Sequence, residues 1–381
     1  MFCLIVLLLI TRHSSLVTEV RAEDRFSIKY QHYEDDKSIY YEDTNGVISD
    51  RWLVALTKFI TEKTSLALNY GVDAISSASW KIDGVTSATR RGRAGEEDRH
   101  SGSIGINHTV GTANISVTGG LSRENNYNSD YLAASIGKEF NKRNTNLTLS
   151  VSKAWDDVYS TKVGDPRDYP ESKDTTTIGM SLAQTLTPWT VAAIGHEYTI
   201  VDGYQAHPEN VVMLSDGTFT DEIHPESRHR NASVLRINQY LPWKAAVHAD
   251  YRYYTDSWGV DSHTYGLKYY QYLYDDLILR LRGRYYSQGA ADFYSEDPSP
   301  SDRFPTIDGK LREFDSITYG AKMIYDITKL ANKIGLKAAE KVNLDLKYDR
   351  YEQVDAITSA TGKEGSGLKA DIIQLGLGME F

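Results

Sequence analysis

Three short stretches of the chain repeat one arrangement of hydroxyls. "DAISSAS" at 73–79, "DGVTSAT" at 83–89 and "DAITSAT" at 355–361 each read Asp, a small residue, Ile or Val, Ser or Thr, Ser, Ala, then Ser or Thr. A side-chain hydroxyl is the only group needed to form a phosphoester, and small Ser and Ala neighbours let another molecule's pocket close over it. The closing hydroxyls belong to Ser79, Thr89 and Thr361, and the opening carboxylates to Asp73, Asp83 and Asp355. The same residues have an architectural reading, because Asp, Ser and Thr side chains bond nearby backbone groups and shape loops.

A second set of chemistry-bearing residues is basic. Arg280, Arg282 and Arg284 alternate with apolar residues, and Lys341, Asp345 and Lys347 do the same further on. A row of cations on one face can select anions in a pore. The plainer reading is a solvated wall in which Asp345 and Asp349 pair with their basic neighbours. "HPE" occurs at 207–209 and again at 224–226, with His229 following. These are metal-ligand types, but loops of such composition usually hold none, and no metal is expected. The chain has no nucleophile elbow, phosphate-cradling glycine loop or metalloprotease helix, so no enzymatic activity is expected.

The elements that must position these residues follow from periodicity. In 243–255, Trp243, Ala245, Val247, Ala249, Tyr251 and Tyr253 oppose Lys244, Ala246, His248, Asp250, Arg252 and Tyr254. In 276–286, Leu277, Leu279, Leu281 and Tyr285 oppose the three arginines, and in 341–351 Val342, Leu344, Leu346 and Tyr348 oppose Lys341, Asn343, Asp345 and Lys347. Alternation of period two identifies strands. These runs are longer than the roughly five or six residues of strands in soluble sheets, and aromatics sit near their ends. That combination marks a transmembrane barrel with apolar faces to lipid and polar faces to a wet lumen.

Connections sharpen the reading. Short links at 61–63, 110–112, 141–143, 186–188, 241–242 and 274–275, with a middling helical-looking segment at 329–340, alternate with longer ones. The longer ones fall near 35–50, 75–98, 124–129, 156–173, 201–228, 256–260, 287–313 and 353–367. The expected fold is an all-β, antiparallel up-and-down transmembrane barrel of about sixteen strands, with short periplasmic turns and long extracellular loops. Fourteen or eighteen strands lie within the looseness of such boundaries. The last run, "DIIQLGLGMEF", alternates to a terminal Phe381, which looks like the signal read by the outer-membrane assembly machinery.

The apolar run "MFCLIVLLLI", followed by "VRA" before "EDRF", reads as a secretory signal peptide over 1–22, with the barrel over 23–381. No Lys or Arg precedes that run, which departs from the usual pattern. Cys3 is the only cysteine and would leave with the peptide, excluding disulfide and thiolate chemistry from the mature chain. A formal net charge of -10 argues against a nucleic-acid partner.

The tyrosine-rich strands, "YEDD" at 33–36 and "VDAISSAS" at 72–79 resemble a family of uncharacterised bacterial outer-membrane barrels that carry a "DAISGAS"-like segment. The heptad is also similar to the acceptor motif for covalent flavin mononucleotide (FMN), in which a periplasmic transferase attaches the flavin to the final Thr or Ser. That resemblance implies acceptors at Ser79, Thr89 and Thr361. It also implies a redox context with a flavin transferase and a small periplasmic lipoprotein as partners. The chain departs from the acceptor pattern in having Ser77, Ser87 and Ser359 where Gly is usual. Lys81, Arg91 and Lys363 stand where a further Ser or Thr often follows.

The expected protein is therefore an integral outer-membrane barrel in contact with lipid, serving a flavin-linked redox or transport system. The alternative is a passive porin-like diffusion channel. Barrel closure would set the second and eighth outer loops, which carry the heptads, about three strand spacings of roughly 4.8 Å apart.

Overall fold

Residues that alternate apolar and polar over ten or more positions pair into one closed sheet in the computed structural model. It describes residues 23–35, 48–76, 96–162, 165–208, 210–306, 308–354, 357–358, 364–365 and 367–381. The first strands are β1 Arg25–Asp35, β2 Ile48–Thr61, β3 Thr64–Ser76, β4 Glu96–Val110, β5 Ala113–Arg123 and β6 Tyr127–Phe140. Then come β7 Thr145–Lys162, β8 Asp165–Thr187 and β9 Thr190–Gly203, with a small loop hairpin of β10 Val211–Met213 and β11 Phe219–Asp221. The wall continues through β12 Ser227–Leu241, β13 Ala245–Asp256, β14 Asp261–Tyr274, β15 Leu277–Gln288 and β16 Phe314–Asp326. A short helix, α1 Thr328–Lys333, precedes β17 Lys341–Gln353. A second loop hairpin, β18 Ile357–Thr358 and β19 Glu364–Gly365, leads to β20 Lys369–Glu380.

Without the two hairpins, sixteen strands form a closed antiparallel barrel. Closure is made by β20 against β1, in register from Arg25↔Glu380 to Asp35↔Ala370. Tight turns at 62–63, 111–112, 141–144, 188–189, 242–244 and 275–276 gather at the end that holds both described chain ends. The longer connections form the opposite mouth.

The two faces are inverted relative to a soluble protein. Ile104, Ile106, Leu149, Ile178, Met180, Ile194, Leu267, Leu281, Leu346 and Leu375 are exposed on the outside, and polar side chains line the inside. Outward Trp52, Tyr70, Trp155, Tyr253, Tyr265, Tyr285, Tyr319 and Tyr348 ring the mouth side of this band. Trp189, Trp243, Tyr274 and Tyr325 ring the turn side. An apolar band between aromatic girdles fits lipid rather than water.

One segment differs from the sequence reading, and a second, the helical link, goes beyond it. The stretch 156–173 was expected to be a loop, but β7 and β8 stay paired as far as Lys162↔Asp165. The reason is one-sided burial: Asp156, Val158 and Ser160 are buried, and the Tyr204 backbone N–H donates to the Ser172 carbonyl from the adjoining loop. The segment 327–340 does more than turn. Ala331 and Ala339 pack on Val342, Leu377, Met379 and Phe381, so the outward end of the last strand is covered by protein. Phe381 is also tied through backbone hydrogen bonds to Asp24. Changing Phe381 to Asp places a charge under this cover. The expected result is loss of the heat-modifiable folded band from outer-membrane fractions; a normal band would contradict the role given to this strand end.

Candidate functional site

The basic row on β15 faces the lumen together with neighbours from β16 and β17. Lys322 Nζ lies 2.7 Å from Asp345 Oδ1, and Arg282 Nη1 lies 3.2 Å from Asp349 Oδ2. Lys347 also pairs with Asp349, which is only 1% exposed. Asp349 fits because it lies directly across from Gly320, where a Cβ would collide with the Asp349 side chain and the Tyr348 carbonyl. Asp345 leans over Gly376 in the same way. Two aspartates thus serve three of the five cations. Among the described residues, Arg280 and Arg284 have no carboxylate within ion-pair distance, and the Arg284 guanidinium lies over the Tyr286 ring. Lys341, on the same face of β17 as Asp345 and Lys347, is the first residue of that strand and stands exposed at its turn end.

This wall gives an expectation. Arg282→Glu puts a carboxylate beside the buried Asp349, so the selectivity of single channels in planar bilayers should move toward cations. Unchanged reversal potentials would mean that ions do not pass this wall.

Of the opening carboxylates and closing hydroxyls of the heptads, Asp73 alone is among the described residues. It is buried near the mouth end of β3, 2.9 Å from Arg51 Nε on β2, and accepts a 2.7 Å hydrogen bond from Arg99 Nε on β4. Its carboxylate is therefore occupied in fixing the root of the loop. Ser79, Asp83, Thr89, Asp355 and Thr361 lie outside the described residues. In sequence, 77–95 joins β3 to β4, and 354–368 joins β17 to β20. The wall runs β17, β20, β1, β2, β3, β4, so β20 and β3 stand three strand spacings apart, about 14 Å. Ile357–Thr358 pairs with Glu364–Gly365, and Thr361 falls between those two strands in sequence.

One buried polar site was not foreseen. The loops 204–226 and 289–313 fold onto each other over one side of the mouth. The Ser215 N–H donates to the Pro298 carbonyl and the Ile223 N–H to the Pro305 carbonyl. Between them the Thr306 hydroxyl donates to Glu222 Oε1 at 2.6 Å. His224 Nε2 lies 2.9 Å from Thr306 Oγ1, and His224 Nδ1 lies 3.1 Å from the Gln205 carbonyl. The latch is thus a chain of hydrogen-bonded groups in which the Thr306 hydroxyl stands between the His224 ring and the Glu222 carboxylate. Burial pushes the Glu222 carboxyl up, but hydrogen bonds from His224, Thr306 and the His207 N–H outweigh it and hold it at about 2.

Beneath this lid is a cavity of about 350 Å³, lined by lumen-facing residues of β8, β9 and β12 to β15 and by loop residues. Lys173, Arg228, Arg230, Arg252 and Lys310 line it with Tyr254, Trp258, Tyr286 and Gln288. Trp258 packs edge-on against His224 and Phe293, and Arg228 stacks over its ring at 4.1 Å. The Gln288 amide donates to the Lys310 and Arg312 carbonyls and so fixes the base of the second loop. The legible signal was the alternation Arg228, His229, Arg230. The two arginines point in, while His229 is outside and bonded to the Tyr198 hydroxyl. His224 is in the latch and His229 is outside, so these two histidines do not come together. Among the described residues no group of three or more His, Cys, Asp or Glu could hold a metal.

The family described as "Protein of unknown function (DUF3570)" matches residues 7–369. No curated relative matches the chain. Among solved structures, CdiB from Acinetobacter baumannii is similar at a TM-score of 0.51 and 10% identity, over 94% of this chain and 61% of CdiB. A bacterial polysaccharide outer membrane secretin is similar at 0.47 and 8%, over 95% of this chain and 100% of its own. The siderophore receptor PirA from Acinetobacter baumannii is similar at 0.47 and 12%, over 94% of this chain and 61% of PirA. The chain thus spans about three fifths of the length of CdiB and PirA. At these identities the likeness concerns the fold: an outer-membrane-type β-barrel.

Proposed function

The chain belongs to the DUF3570 family of proteins of unknown function, and on its own geometry we propose that it is the barrel component of a flavin-linked extracytosolic redox system in a bacterial outer membrane. The observation that carries this reading is barrel closure. Heptads some 270 residues apart in sequence hang from loops rooted about 14 Å apart, in one sector of the mouth. Flavins on Thr89 and Thr361 would then be neighbours, as exchange of electrons between them requires. Ser79 is the weaker acceptor because bulky Trp80 follows it.

The attachment is a phosphoryl transfer. The hydroxyl oxygen bonds to the flavin-side phosphorus of a flavin dinucleotide, the pyrophosphate bond breaks, the hydroxyl proton is lost, and a nucleoside monophosphate leaves. A periplasmic transferase meets these segments before the barrel inserts, so modification precedes assembly. Partners in this reading are that transferase, a small periplasmic lipoprotein, the assembly machinery and membrane lipid. Co-production with an active flavin transferase should give an in-gel fluorescent band that survives denaturation. The Thr89→Ala, Thr361→Ala double variant should lose most of it while keeping its folded band, because loop hydroxyls are outside the paired wall. A dark wild-type band would end the flavin reading.

One observation favours a second reading. The positive excess at Arg280 and Arg284 suits a passive diffusion channel for small anions, in which the heptads only shape their loops.

A further inference from the structure

We propose that the cavity beneath the joined loops is a binding site for a small polyvalent oxyanion, held between Arg230 and Arg252. The site lies on β8 to β15, away from the heptad loops, and does not rest on the flavin reading.

The charges around the cavity do not balance. Arg228 is paired with Asp256 through its Nε at 2.8 Å and its Nη2. Lys173 is paired with Asp156 at 3.3 Å. Arg230 and Arg252 have no carboxylate within ion-pair distance among the described residues. Asp256, the nearest candidate for Arg230, already accepts from Arg228 and from the Tyr254 hydroxyl. Among the described residues, the one carboxylate lining the cavity, Asp308, accepts the Lys310 backbone N–H, and the buried Arg230 Nε has no acceptor.

Position turns this excess into a site. Arg230 pairs across the wall with Asp256, and Arg252 with Val234. The two arginines therefore stand on adjacent strands, offset by four residues and both turned to the lumen. Each guanidinium is a planar fork that matches two oxygens of a phosphate or carboxylate. A ligand with several anionic oxygens can bridge them, with Lys310 reaching it from the lid. Trp258, Val260 and Leu311 supply an apolar wall, which keeps bulk water away and strengthens the charge attraction. A volume of about 350 Å³ falls at the small end of ligand pockets, so the ligand is of the size of a diphosphate or tricarboxylate.

Phosphate-type and carboxylate-type oxyanions share this chemistry, and the test separates them. The full-length barrel in detergent is titrated calorimetrically with inorganic pyrophosphate and, separately, with citrate. Saturable one-to-one binding of either probe is expected. Arg230→Met and Arg252→Met should each weaken it by about tenfold or more, the loss of one charge-assisted contact. Lys29→Met, which removes a lumen cation from the opposite wall, should bind as the wild type does. Pyrophosphate alone would assign a phosphate-type ligand, and citrate alone a polycarboxylate. The Thr89→Ala, Thr361→Ala variant should bind normally, which keeps this result separate from the fate of the flavin reading. Failure of both probes to bind the wild type would overturn the proposal. So would equal weakening by Lys29→Met, because the binding would then be general lumen electrostatics.

Discussion

Replacing Glu222 by Leu is expected to unfasten the two loops that cover the mouth. The carboxylate is the acceptor at the end of the chain His224, Thr306, Glu222, and it also accepts from the His207 N–H and the Asn210 amide. Its loss leaves these buried donors without their acceptor, and an unsatisfied buried polar group costs about 1–3 kcal/mol. The barrel wall is untouched, so the cost falls on the lid. Amides of 204–226 and 289–313 should exchange with solvent much faster, and the unitary conductance should rise as the cavity opens. Glu222→Gln, which can still accept the Thr306 hydroxyl, should be milder. Unchanged exchange in Glu222→Leu would mean that the apolar cluster around Trp258, Val260, Ala291 and Leu311 holds the lid by itself. The pH dependence has a definite sign. The folded carboxyl sits at about 2, below its ordinary 4.5. The latch therefore contributes its full stability above about pH 4.5 and loses it as the pH falls toward 2.

Leu281→Arg is the second large effect. Leu281 is 47% exposed on the outer face of β15, midway along a strand whose alternate residues are the lumen arginines. A charge there meets hydrocarbon, at about 2–4 kcal/mol near the midplane. Arg282→Met, one residue away on the wet face, leaves Asp349 its pair with Lys347 and should cost far less. Unfolding midpoints in lipid vesicles measure the contrast. Equal tolerance of both changes would mean that the outer face of β15 is not in lipid.

The barrel was legible because each strand repeats one local rule. In 277–286 the period-two alternation gives the strand, its two faces and the placement of Arg280, Arg282 and Arg284 without any knowledge of neighbours. The loop alternation then yields the sixteen-strand count and the closure that brings β3 and β20 near each other. The lid was not legible. Glu222 and Thr306 are 84 residues apart, lie outside any periodic segment, and meet only because both loops turn inward over the same sector. The extension of β7 and β8 was hidden for a related reason. Its pairing depends on burial of Asp156, Val158 and Ser160 beside the loop at Tyr204, which local pattern does not encode. Asp73 was read as the opening of a motif. Its ion pairs with Arg51 and Arg99 come from strands on either side and make it an anchor for the loop.

The central claim is the proposal that the heptad hydroxyls, on segments rooted at strands that barrel closure sets near each other, carry flavin. Intact mass of the purified barrel, produced together with an active flavin transferase, tests it most directly. The account predicts discrete added masses of whole FMN units. Peptide mapping should assign them to Thr361 and Thr89 first, and the Ser79→Ala, Thr89→Ala, Thr361→Ala variant should return to the unmodified mass. A wild-type barrel with no added mass, alongside a known acceptor protein that the same transferase has modified, would contradict it.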